Sequence, residues 1–191
     1  MRLATLGLLF LAGSGSLAHA DEYHGALQNF LETNIRAWAS NPVLVEAINE
    51  QNVRTADFDQ AMIDQADLLW RAQVDIEGAE NIEEVLINPA ANFLREQVVA
   101  SAGAITEVFI MDSHGMNVAA SAVTSDYWQG DEAKFTQTYP MGPDAVHLGD
   151  VELDQSTQAV QSQVSIPMVD PDTSEVIGAM TVAIDLTYLA Q

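Results

Sequence analysis

Thr157-Gln-Ala-Val-Gln-Ser-Gln-Val-Ser-Ile-Pro-Met-Val169 and Val176-Ile-Gly-Ala-Met-Thr-Val-Ala-Ile-Asp-Leu186 decide the fold. Successive strand side chains point to opposite faces, so Val160, Val164, Ile166 and Met168 share one side of the first stretch. Gln161, Gln163 and Ser165 take the other. In the second stretch Val176, Met180, Val182, Ile184 and Leu186 oppose Ala179, Thr181, Ala183 and Asp185. One face of the predicted sheet is bulky and suits packing against a helix. The other is small and polar, which leaves room. Asp170-Pro-Asp-Thr-Ser-Glu175 joins the two strands as a turn.

Upstream, Ile105 to Met111 and Met116 to Val123 flank Asp112-Ser-His-Gly115, a hairpin signal. Before Gly103 the periodicity is helical. Tyr23, Leu27, Phe30, Leu31, Ile35 and Trp38 form one stripe on a long first helix. Asn41-Pro42 opens a second helix through about Asn49. A third is expected over Ala56 to Gln73, with Thr55 as cap and Phe58, Met62, Leu69 and Trp70 buried. Asp75 to Glu84, acidic and weakly patterned, reads as a surface loop or a frayed turn. Asn88-Pro89 opens a fourth helix with Phe93, Leu94, Val98 and Val99 inward. Helices first and an antiparallel sheet afterwards define an α+β chain. A helical region 21–102 precedes a sheet region 103–191 in a single domain.

Residues 1–20 have the pattern of a secretory signal: Arg2, an apolar run from Leu3 to Ala12, and Ala18-His-Ala20 before a cleavage site. A periplasmic or secreted protein is expected. The formal charge is −22, and Lys134 is the sole lysine. Such a chain lacks the clustered Lys and Arg that nucleic acid demands. No Gly-x-Ser-x-Gly elbow, His-Glu-x-x-His, phosphate loop or cysteine nucleophile is present, so neither catalysis nor a cofactor is expected. His24, His114 and His147 are too far apart in sequence to suggest a zinc site, and Asp170 to Glu175 lacks the glycine of a calcium loop.

Thr124-Ser-Asp-Tyr-Trp-Gln-Gly-Asp-Glu132 lies between strand-like runs. Exposing Tyr127 and Trp128 would forfeit hydrophobic free energy. They cover either the protein's own core or a small ligand held against the sheet.

Together with this segment, Glu107-Val-Phe-Ile-Met-Asp-Ser-His-Gly-Met-Asn-Val118, Gln163-Val-Ser-Ile-Pro-Met-Val-Asp170 and Ile177-Gly-Ala-Met-Thr-Val-Ala-Ile-Asp185 resemble the Cache (PAS-like, PDC) extracytoplasmic sensor domains. The resemblance implies a long N-terminal helix behind a five-stranded antiparallel sheet. It also implies a small ligand (a carboxylate, amino acid or amine) between the sheet and its covering loops. Amino-acid-binding members carry an arginine just ahead of the Trp, where this chain has Ser125-Asp126-Tyr127. Asp185 matches the acid that meets the ligand amine in those members. Such domains serve chemoreceptors and kinases, so occupancy is expected to reach a separate membrane-bound receptor or kinase. The first helix permits a homodimer.

The candidate ligand-binding residues are Tyr127, Trp128, Asp131, Lys134, Tyr139, His147, Gln163, Ser165 and Asp185. Each has a plainer alternative. Tyr127 and Trp128 can plug the loop onto the sheet, and Asp185 can cap a last turn. Asp131 and Glu132 can be solvated or pair with Lys134, which can itself be an ordinary surface ion-pair member. Arg36, Arg54, Arg71 and Arg95 are expected to pair with nearby acids.

Overall fold

The computed structural model describes residues 16–153 and 160–189. The first helix, α1 (Ser16–Phe30), passes through one π-helical segment (Leu31–Ile35) into α2 (Arg36–Ala39). There follow α3 (Pro42–Thr55), α4 (Gln60–Gln73), α5 (Glu80–Leu86) and α6 (Pro89–Ala100), then β1 (Ile105–Met111) and β2 (Asn117–Ala120). After α7 (Ala133–Thr136) and a 3-10 turn (Tyr139–Met141) come β3 (His147–Leu148), β4 (Glu152–Leu153), β5 (Val160–Val169) and β6 (Val176–Asp185). The expected leader lies outside the described residues apart from its end, which is already helical. So does the start of the strand expected from Thr157.

All strand pairs are antiparallel, in the order β2-β1-β6-β5-β3, with β4 also on β5. The α+β architecture and the helix-backed antiparallel sheet are as the sequence implies. Gln163 lies opposite Ala183 and Val164 opposite Val182, so the two alternations fall in register. Val164, Ile166, Met168, Met180, Val182 and Ile184 pack against Leu27, Leu31 and Ile35 of the first helix, and against α3 and α6 through Leu44, Ile48 and Leu94. Each fully buried aliphatic side chain of this kind contributes roughly 1.5–3 kcal/mol. Gly178 allows β6 and β1 to approach, since a Cβ there would meet the Met111 carbonyl oxygen at 2.0 Å.

Four expectations for the helical half need correction. α3 extends to Thr55, and α4 begins only at Gln60, because Asp59 caps it by accepting the Met62 N–H at 3.0 Å. Met62 and Leu69 are exposed, while Ile63, Asp67 and Trp70 are buried. Asp75 to Glu84 is not simply a loop: Ala79, Ile82 and Val85 anchor α5 in a second core. In α6 Leu94 is buried but Val99 is exposed. The second core lies on the small-residue face of the sheet, where Trp70, Ile82, Val85 and Phe135 meet Phe109, Met111, Ala120 and Ala179.

Candidate functional site

The segment Thr124–Glu132 folds back along the start of β2. The Asn117 N–H donates to the Tyr127 carbonyl at 3.0 Å and the Gln129 N–H to the Gly115 carbonyl at 2.8 Å. Gly115 has φ +82°, and a Cβ there would lie 2.5 Å from the Gly130 Cα, so this return requires glycine. The two aromatics then part company. Trp128 donates its indole N–H to the His114 carbonyl at 2.8 Å and lies against Gly130. Tyr127 stacks on Trp70 of α4, with ring centroids 5.5 Å apart and an interplanar angle of 24°.

Tyr127 also borders a two-chambered cleft. The larger chamber, about 490 Å³, runs between Val43, Ala47, Glu50 and Gln51 of α3 and Glu84, Asn88 and Ala90 beyond it. The second, about 330 Å³, is bounded by Thr55 and Phe58 on one side and Ala66, Leu69 and Trp70 of α4 on another. Gln51, Arg54, Glu84 and Tyr127 line both. Helical spacing explains the α3 wall: Glu46, Ala47, Glu50, Gln51 and Arg54 recur at three- and four-residue steps. Asn49 and Asn52 anchor the same helix elsewhere, donating to Asp170 Oδ2 at 2.9 Å and the Ile177 carbonyl at 2.8 Å.

The Tyr127 phenol is held in its neutral form. Burial is the main cause of its raised pKa, reinforced by the negative charges of Asp112 and Glu84 and opposed by Arg54 and a hydrogen bond with Gln51. Arg54 of α3 and Glu84 of α5 line the same two chambers as Tyr127. Yet the ion pairs among the described residues are Arg36–Glu32, Arg71–Asp67, Arg71–Asp126 and Lys134–Glu132. Arg54 and Glu84 stand in none of them. A cation and an anion therefore border one cleft beside Tyr127 with no ion pair between them among the described residues.

The other sequence-derived candidates lie elsewhere, over β5 and β6. Ser165 Oγ and Thr181 Oγ1 share a hydrogen bond of 3.0 Å and are fully buried. Tyr139 stacks on Phe135 at 5.0 Å. Lys134 reaches Glu132 and Gln129, both at 3.1 Å, and sits over the Phe109 ring. Lys134 and Gln163 share a groove of about 190 Å³ with Gln161, Asp150 and Glu152. Asp185 accepts from the Thr187 N–H at 2.9 Å and its hydroxyl at 2.7 Å, capping the final turn. Asp131 is exposed.

His147 pairs with Ser165 across β3 and β5. Burial lowers its pKa; Asp150 pulls the other way, and Lys134 lowers it further. A histidine with a folded pKa below its unfolded value of about 6.5 stabilises the fold fully above that pH and loses this contribution as pH falls through both values. The thermal midpoint is expected to drop on acidification from about pH 7 to pH 5.5, a window set by the histidine range. His147→Gln should flatten that part of the profile. An unchanged slope in the variant would assign the titration to another group.

No family model matches the sequence, and no curated protein matches it. Among solved structures, the chain is similar to the sensor domain of the V. cholerae histidine kinase DctB, with TM-score 0.44 and 15% identity over 90% of this chain and 58% of that one. The ligand-binding domain of the Pseudomonas aeruginosa amino-acid chemoreceptor PctC, in complex with GABA, gives TM-score 0.37 and 13% identity over 89% and 62%. That of a Campylobacter jejuni chemoreceptor in complex with L-valine gives 0.39 and 14% over 93% and 66%. All three of these solved structures are sensor or ligand-binding domains. The chain spans less than two-thirds of each solved chain. Among the described residues no helix is long and apolar enough to cross a membrane.

Sequence reasoning did not single out Gln51, Arg54, Trp70 and Glu84, which line the cleft, or Asp67, which holds Tyr127 from α4. Asp67 carried a readable signal, since Asp67 and Arg71 are spaced i, i+4 on a predicted helix. The convergence of Arg54 and Glu84 had none, because it arises only when α3 and α5 are brought together.

Proposed function

We propose that this chain is an exported small-molecule sensor domain whose ligand occupies the Tyr127 cleft and whose occupancy is read by a separate membrane-bound receptor or kinase. The observation that carries the reading is the pair Arg54 and Glu84, facing one cleft with no ion pair between them. A small zwitterion supplies what both lack: its carboxylate meets Arg54, its ammonium meets Glu84, and its body lies against Tyr127. Glu46 and Glu50 on the same wall tilt the preference towards amines over simple carboxylates. Pairing of two copies through the first helix would use its exposed side, which carries His24, Gln28, Glu32 and Asn34.

A second reading has its own support. Phe135 on Tyr139 and Trp70 on Tyr127 fill much of the sheet face where a ligand was expected, as an interaction module with a self-filled pocket would require. Thermal shift against a panel of amino acids, amines and carboxylates separates the two. A ligand at a hundred times its Kd should stabilise the fold by roughly 2.7 kcal/mol. The sensor reading expects a hit that Arg54→Ala or Glu84→Ala abolishes while each variant keeps the unliganded midpoint. A panel without a hit would favour the interaction module.

A further inference from the structure

We propose that α4 and the segment Thr124–Glu132 form one lid over the Tyr127 cleft, with Asp67 as the positioning residue that makes them move together. Asp67, Trp70 and Arg71 occupy one face of α4 at i, i+3 and i+4 and grip four residues of the segment. Asp67 is 8% exposed, and its Oδ1 accepts the Tyr127 N–H at 2.9 Å and the Trp128 N–H at 3.1 Å. Its Oδ2 accepts from Arg71 Nε at 2.7 Å, and Arg71 Nη2 reaches Asp126 Oδ2 at 3.3 Å. Trp70 donates its indole N–H to the Thr124 carbonyl at 2.9 Å and stacks on Tyr127.

Elsewhere on α4 Ile63 is buried, but the outer side of the helix is exposed. Met62, Leu68 and Leu69 are exposed, and turns bound the helix on both sides, the second containing Gly78 at φ +77°. The buried apolar side chains of α4 are Ile63 and Trp70, the latter set in the second core, so opening the helix has to release Trp70 together with the segment it grips. The second chamber lies between α4 and α3, whereas Tyr127 borders both chambers. Widening the second chamber by displacing α4 therefore shifts the floor of the first. Through this linkage a ligand in the cleft alters the surface that α4 and the segment present to a partner.

The inference rests on the cleft being the ligand site, but its test needs no ligand. Amide hydrogen exchange is followed in the full chain, in Asp67→Ala and in Asp67→Asn. Asp67→Ala is expected to speed exchange of residues 60–73 and 124–132 together, by about tenfold, while β5 and β6 keep their protection. Asp67→Asn retains an acceptor oxygen and should restore protection at Tyr127 and Trp128 while losing the Arg71 pair. Exchange that rises in only one of the two segments would overturn the lid. So would a uniform loss extending through β5 and β6, the mark of a purely structural role. Failure here would leave the binding reading standing. A ligand panel without a hit would remove that reading and leave the coupling intact.

Discussion

Trp70→Ala is expected to lower folding stability by about 3 to 5 kcal/mol, the range for truncating a large buried aromatic. Trp70 is 1% exposed and packs with Val85, Phe109 and Ala179 in the second core. Its loss also removes the stack on Tyr127 and leaves the Thr124 carbonyl without its indole donor. Trp128→Ala should cost clearly less. Trp128 is only partly buried, and its indole N–H meets a backbone carbonyl in the Asp112–Gly115 turn. Urea unfolding of the two variants side by side gives the comparison. If Trp128→Ala proved as costly as Trp70→Ala, the segment would be anchored by the hairpin and not by α4.

Asp112→Ala should be comparably damaging, for a different reason. Asp112 is fully buried, and its carboxylate accepts four hydrogen bonds. Oδ1 takes the N–H groups of His114 and Met116, both at 2.9 Å, and Oδ2 takes Gln51 Nε2 and Thr55 Oγ1, both at 3.1 Å. Removing a shared acceptor strands several buried donors, each costing about 1–3 kcal/mol, so a total loss of at least about 3 kcal/mol is expected. Gln51 also donates to the Asn117 carbonyl at 3.2 Å, and Asn117 Nδ2 donates to Thr124 Oγ1 at 2.8 Å. One buried network therefore ties α3, the hairpin turn and the segment together. Asp112→Asn keeps the Oδ1 acceptor for the turn but sets an amide against Gln51, so it should fall between wild type and alanine. Equal stability of the alanine variant and wild type would mean that water replaces the carboxylate.

How much of this was legible follows from what makes a pattern. β5 and β6 run ten residues each with period two, so their faces could be read directly and their register followed. β3 and β4 are two residues each, too short to show any period. α4 misled because it carries apolar residues on two sides. Met62, Leu68 and Leu69 reach solvent, and the buried stripe contains an aspartate that hydrophobicity cannot flag. α5 was hidden because Glu80, Glu83 and Glu84 outweigh Ile82 and Val85 in so short a helix.

The candidate site was legible in part. A Tyr-Trp pair in a connecting segment signals a surface to cover, and Tyr127 does border the cleft. The arginines were expected to find nearby acids. Arg36 and Arg71 do, at i−4 in each case. Arg95 instead binds the Leu86 carbonyl and Asn92. Arg54 stands in none of the ion pairs among the described residues, and its sharing of one cleft with Glu84 depends on tertiary packing across about thirty residues, which local spacing does not encode.

The location of the ligand is best tested by titrating isotope-labelled protein with each amino acid, amine and carboxylate of the panel while following backbone amide resonances. The cleft reading predicts saturable shifts clustered at Gln51, Arg54, Glu84 and Tyr127, with Gln161, Gln163 and Asp185 unmoved. Saturable shifts centred on Gln161, Gln163 and Asp185, with the cleft silent, would contradict it.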